Sequence, residues 1–131
     1  MPLAIGLNSG SSFDGIDAVL IEIDLDKDGH PTTPKFLDAI SFDWPSEVGN
    51  RVLLAFENKL SIFDMNRLNY EAGAVYAEAA LKLLKKVNKS GIDIEVIGYD
   101  GQTIYQEPPE RHLRANLPAN PRPLQKWSIG G

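Results

Sequence analysis

Between Ala4 and Leu20 the chain runs through an apolar stretch, a series of small and hydroxylated residues, and a second apolar stretch. Leu3 to Leu7 reads as a strand, the small and hydroxylated residues that follow as a tight turn, and the apolar residues up to Leu20 as part of a second strand. So short a link makes the two strands antiparallel neighbours. Gly10 and Gly15 allow conformations and close approaches that a side chain would block. Such a turn lets backbone N–H groups converge on an anion, and the hydroxyls of Ser9, Ser11 and Ser12 add donors. Asp14 and Asp17 stand where they could meet a metal ion or a polar substrate. The turn is not a Walker loop, because it has no Gly-Lys-Ser/Thr, nor a dinucleotide fingerprint, because no helical pattern follows. Gly, Ser and Asp are also ordinary hairpin residues, so composition alone leaves a purely structural turn open.

The remaining pattern places this hairpin in a mixed α/β unit. Ala18 to Leu25 alternates, with Val19, Ile21, Ile23 and Leu25 on one side and Leu20, Glu22 and Asp24 on the other, as in a half-buried strand. A turn follows at Asp26-Lys27-Asp28-Gly29-His30-Pro31, then a third strand over Phe36 to Trp44. Pro45-Ser46-Glu47 opens a helix to about Asn58, with Val48, Val52, Leu53 and Phe56 at helical spacing. Asp64 or Asn66 caps a longer one to about Asn88, in which Leu68, Ala72, Val75, Ala79, Leu83 and Val87 recur at threes and fours. Ser90-Gly91 stops it. Ile94 to Gly98 follows a helix, so it joins the sheet by a crossover, parallel to a neighbour. From Pro108 to Gly131 the chain is a Pro-rich loop region with one short strand around Gln125 to Ile129.

Net charge is −5 and the sequence pI is about 4.9, which disfavours nucleic acid and anionic membranes as partners. With no cysteine there is no disulfide framework, thiolate metal site or cysteine nucleophile. His30 and His112 are too isolated to argue a zinc site, and no metal ligand set is assigned. The basic group Arg111, His112 and Arg114 reads as a solvated loop. No basic, long apolar leader and no membrane-spanning run are visible, so a cytoplasmic location is expected.

The string from Gly6 to Asp17 closely resembles the first phosphate loop of the anhydro-N-acetylmuramic acid kinase family, Gly-Leu-Met-Ser-Gly-Thr-Ser-x-Asp-Gly-Ile-Asp. A second stretch, Val96-Ile97-Gly98-Tyr99-Asp100-Gly101-Gln102-Thr103-Ile104-Tyr105-Gln106-Glu107-Pro108, is similar to that family's Gly-Ser-His-Gly-Gln-Thr-Ile-x-x-x-Pro. The resemblance implies the opening of a ribonuclease-H-like lobe of the actin-like ATPase type: a mixed sheet with three antiparallel strands, then helices and a crossover strand. It implies ATP and Mg2+ as cofactors and a small-molecule anhydro-sugar as partner, with hydrolytic opening of a 1,6-anhydro ring and phosphorylation at O6. Ser9, Gly10, Ser11, Ser12, Phe13, Asp14, Gly15, Ile16 and Asp17 would then hold the cofactor. Asp14 is the candidate catalytic residue, and Asp17 either orients the loop or stabilises the turn. Asn8, Asp100, Gln102 and Thr103 would face the sugar, with Gly101-Gln102-Thr103 otherwise a simple chain turn.

Two positions depart from that pattern. Asn8 replaces the family's Met, as in a levoglucosan-kinase-like variant, and brings a neutral amide. Asp100 replaces His; ionised, it only accepts hydrogen bonds and repels an anion, which favours a neutral anhydro-sugar over one with a lactyl group. The resemblance covers only the first part of the family, so a second lobe, a second phosphate loop and the family's aspartate base are expected to be absent from these residues. The isolated chain is therefore expected to be inactive, with homodimerisation left open for the full-length protein. The competing reading is a non-catalytic sugar-binding or interaction module descended from the same family.

Overall fold

β1 (Leu3–Asn8) lies between an antiparallel partner, β2 (Ile16–Glu22), and a parallel one, β4 (Ile94–Tyr99); β3 (Lys35–Phe42) completes the order β3-β2-β1-β4. The computed structural model that gives this arrangement describes residues 2–10, 13–107 and 125–129. Between β3 and β4 the chain passes through α1 (Ser46–Phe56), α2 (Ile62–Lys86) and a 3-10 turn at Gly91–Asp93. It thus crosses from one edge of the sheet to the far side of β1, which gives the expected parallel pairing.

One face of the sheet packs on α2. Leu3, Ile5 and Leu7 of β1 and Ile16, Ala18 and Leu20 of β2 meet Val75, Tyr76, Ala79, Ala80, Leu83 and Leu84. Burying a Leu or Ile fully contributes about 1.5–3 kcal/mol each, so this layer supplies much of the driving force. The buried face of β2 is the reverse of the one the alternation suggested: Leu20 is buried, whereas Val19 and Ile21 are only half-buried. The register explains it. Asn8 pairs with Asp17 and Ile5 with Leu20, so the turn ending at Gly15 brings Ile16, Ala18 and Leu20 inward, while Glu22 and Asp24 fall where the strand leaves the core. β2 ends at Glu22, and Leu25 forms only an isolated bridge with Pro31.

Both helices end in the same way. Asn58 and Asn88 adopt left-handed φ values of 58° and 56°. The N–H groups of Lys59 and Lys89 reach back to the carbonyls of Leu54 and Leu84, both at 2.9 Å, as in a Schellman motif. Asn88, not Ser90-Gly91, therefore stops α2. Its start is also one turn earlier than Asp64 or Asn66: the Ser61 side chain accepts from the Asp64 N–H at 3.1 Å. On α1 the residues that turn inward are Gly49, Val52 and Ala55, while Leu53 is 47% exposed.

A second, two-stranded sheet pairs β5 (Gln102–Glu107) with β6 (Gln125–Ile129). The short strand expected near Gln125 is present, and its partner β5 is formed by the second motif. Gly101, with φ 74°, redirects the chain from β4 into β5, a conformation that favours glycine. Ile129 joins Val52, Ala55, Leu68 and Ala72 in a second apolar cluster between α1, α2 and this sheet. The expected loop over 108–124 and the basic group at Arg111, His112 and Arg114 lie outside the described residues. Among the described residues no helix is long and apolar enough to cross a membrane.

Candidate functional site

The parallel strands β1 and β4 end together, with Leu7 opposite Tyr99. Ser9 and Gly10 therefore leave the sheet beside Asp100, Gly101 and Gln102. In open α/β sheets, the carboxyl ends of parallel strands are where ligands bind. The two stretches that stand far apart in sequence thus meet at a single sheet end.

Their contact is polar and buried. Ser9 is 4% and Gln102 0% exposed. The Ser9 hydroxyl donates to Oε1 of Gln102. Nε2 of Gln102 donates to the Gly10 carbonyl at 3.3 Å and to the Thr103 carbonyl at 3.1 Å. Tyr76 of α2 closes the space beneath, its ring tilted against Tyr99 at 5.7 Å between centroids. Burial pushes the Tyr76 phenol up to about 12; the neighbouring Ser9 hydroxyl acts in the opposite sense, and Asp100 and Tyr99 add to the rise. The phenol has no well-formed hydrogen bond among the described residues.

The far side of the turn is held by an aromatic group. Phe13 has a left-handed φ of 57°, uncommon for a bulky residue. Its ring packs at 5.2 Å from Trp44 and 5.7 Å, edge-on, from Phe56. Its N–H donates to the Gly10 carbonyl at 3.0 Å. Gly15 follows with φ 134°, and a side chain there would meet the Phe42 carbonyl at 3.4 Å, so the turn keeps a bare backbone before β2. Asp14 is exposed.

A sequence model described as anhydro-N-acetylmuramic acid kinase matches residues 2–119. The chain belongs to the anhydro-N-acetylmuramic acid kinase family. It is similar to the "Anhydro-N-acetylmuramic acid kinase" of Caldanaerobacter subterraneus subsp. tengcongensis, with 36% identity over 81% of this chain and 26% of that protein. That of a Picosynechococcus species is 36% identical over 83% of the chain and 27% of its own length. The protein of Sulfurimonas denitrificans is 30% identical over 79% and 27%. The chain thus spans about a quarter of the length of these relatives.

Within this family frame the residues singled out by sequence fall into distinct environments. Asn8, Asp14, Asp17 and Asp100 are exposed, and Gly10, Gly15 and Thr103 are half-buried. Asp17 pairs across the strands with Ser41, whose hydroxyl donates to Oδ1 at 2.9 Å, so its carboxylate takes part in the β2–β3 pairing. Three side chains are engaged within the protein. Ile16 is fully buried in the core, Phe13 is turned into the aromatic group, and the Ser9 hydroxyl is engaged by Gln102. Ser11 and Ser12 lie outside the described residues.

Tyr76 and Ser41 belong to this neighbourhood and were missed by sequence reasoning. Tyr76 carried a signal: it lies on the apolar stripe of α2, beside Val75 and one turn before Ala79 and Ala80. Ser41 carried none, because its role depends on the β2–β3 register. Among the described residues, Asp26, Asp28 and His30 bring ligand atoms close together in an exposed turn. Asp26 Oδ1 already accepts from the N–H groups of Asp28 and His30 at 2.8 and 2.9 Å, so the cluster is accounted for as turn structure.

Proposed function

We propose that this chain forms the opening part of the first lobe of an actin-like, ATP-dependent kinase acting on a 1,6-anhydro sugar, with ring opening and phosphorylation at O6. The observation that carries the reading is the meeting of the glycine–serine turn and the Asp100–Thr103 stretch at the carboxyl ends of β1 and β4. The turn suits a polyphosphate carried with magnesium: Gly10 and Gly15 are half-buried backbone positions, and the exposed Asp14 carboxylate would meet the metal ion rather than the phosphates. ATP, bound with magnesium, would supply the phosphoryl group. Gly10 and the backbone from Phe13 to Gly15 would hold its phosphates. Asp14 would orient the reacting hydroxyl or a magnesium-bound water, since phosphoryl transfer depends mainly on positioning and charge stabilisation.

Asn8, Asp100 and Thr103 would face the sugar. The Asn8 amide can both donate to and accept from hydroxyls. An ionised Asp100 accepts from hydroxyls and repels a carboxylate, which favours a neutral anhydro-sugar. Closure of a second lobe supplies many contacts and excludes water in such kinases, so these residues alone should not turn over.

A chimera tests the reading, with residues 2–119 replacing the matching segment of a full-length family member. It should phosphorylate levoglucosan with MgATP better than 1,6-anhydro-N-acetylmuramic acid, and Asp14→Asn should lower kcat by about 100-fold. A folded chimera that binds sugar but transfers no phosphate to either would support the non-catalytic module instead.

A further inference from the structure

Gln102 sits in the stretch expected to face the sugar, yet it presents no surface to solvent. A glutamine amide has two N–H donors and a carbonyl oxygen. Here one nitrogen serves the carbonyls of Gly10 and Thr103, at 3.3 and 3.1 Å, and the oxygen accepts from Ser9. Both donors are spent inside the protein. We propose that Gln102 is a positioning residue: it does not touch the sugar, but fixes the conformation of the phosphate-binding turn. What the turn binds rests on the kinase reading above; the positioning role does not.

The geometry explains how one amide can set a loop. The Gly10 carbonyl receives two donors, the Phe13 N–H at 3.0 Å and Gln102 Nε2 at 3.3 Å. Two donors on one carbonyl leave that peptide little freedom to rotate. A turn that binds an anion through backbone N–H groups needs its peptides held in fixed directions. The Ser9 hydroxyl, held by Oε1, acts as a strut between the two segments rather than as a ligand donor. Phe13 pins the other end of the turn through its ring contacts with Trp44 and Phe56. Tyr76, 3% exposed, forms the wall behind Ser9.

The test follows amide hydrogen exchange in the full chain carrying Gln102→Met, which keeps the side-chain length and removes all three hydrogen bonds. The Phe13 amide should exchange about five- to tenfold faster, the scale of one lost hydrogen bond, while the Ala18 and Leu20 amides of β2 keep their wild-type rates. The affinity for MgATP, read from the Gly10 and Phe13 amide shifts, should fall about fivefold or more. Wild-type exchange at Phe13, or equal acceleration at Phe13, Ala18 and Leu20, overturns the positioning role. If Gln102→Met does not fold, Gln102→Asn, one methylene too short to reach Gly10, is read in the same way. A full-length chimera that binds no MgATP would remove the kinase reading, while the exchange rates would still decide the role of Gln102.

Discussion

Ser9 and Gln102, 93 residues apart, share a buried hydrogen bond in which the Ser9 hydroxyl donates to the Gln102 amide oxygen. The bond joins the end of the first strand to the start of the fifth. It makes one site of two segments that sequence could only place side by side. A buried polar pair of this kind costs stability when one partner is removed, because the other is left unsatisfied. Each of the following expectations depends on a comparable local relationship.

The β1–β2 register makes Leu20, not Val19, the core residue of its strand. Leu20→Ala should lower unfolding free energy by about 2–5 kcal/mol. Val19→Ala, on the half-buried face, should cost about 1 kcal/mol or less. Urea denaturation of the two variants checks this, and the reverse ranking would mean that the register is shifted by one residue.

Ser61 caps α2, so Ser61→Ala should destabilise by about 1 kcal/mol. Asn66→Ala, at an exposed position inside the helix, should change stability by no more than about 0.5 kcal/mol. Thermal melts followed by circular dichroism distinguish the two.

Tyr76 holds its proton to higher pH when folded than when unfolded, with a folded value of about 12 against 10.0. Its contribution to stability is fully present below pH 10 and is lost as pH rises towards 12. Wild-type stability should therefore fall across that window relative to Tyr76→Phe, by about 1–2 kcal/mol after allowance for solvent screening. Denaturation midpoints measured from pH 8 to 11.5 should fall more steeply for the wild type than for Tyr76→Phe as pH rises. Parallel curves would remove the buried phenol as the cause.

Lys86 links α2 to β3: Nζ donates to Asp38 Oδ1 at 2.8 Å and to the Ala39 carbonyl at 3.1 Å. The Lys86 hydrogen bond, followed by the Ala39 N–H, holds the Asp38 carboxyl below its usual range. The stabilisation from this depressed value is present above the unfolded pKa and is lost as pH falls through the folded one. The destabilisation caused by Asp38→Asn should thus be visible near neutral pH and fade in strong acid. Melts at pH 7 and pH 2 test it, and a difference that persists at pH 2 would argue against the pair.

Element type was legible from periodicity, because Leu68, Ala72, Val75, Ala79 and Leu83 follow the helical repeat and all lie on the buried face of α2. The parallel placement of β4 was also legible, from chain order and the handedness of crossovers. The face of β2 was not: both sides of that strand carry apolar residues, and only pairing with β1 decides between them. The ends of α2 were partly readable, since Ser61-Ile62-Phe63-Asp64 has the spacing of a cap, but Asn66 and Asp64 offered equally suitable side chains. At the site, residue types identified the two segments, whereas burial redistributed their roles. Gln102 and Ser9 read as ligand contacts in one dimension, and their buried hydrogen bond to each other was not legible, because a long-range hydrogen bond leaves no local pattern.

The most direct test of a shared site is an amide-resolved NMR titration of the chain with MgATP. Gly10, Phe13 and Gly15 should shift together with Asp100 to Thr103, along one binding curve in the range of about 1–10 mM, weak because only one side of the cleft is present. Shifts confined to the apolar cavity bounded by Phe56, Leu60, Met65 and Ile104, or a silent Gly10 at saturating nucleotide, would contradict it.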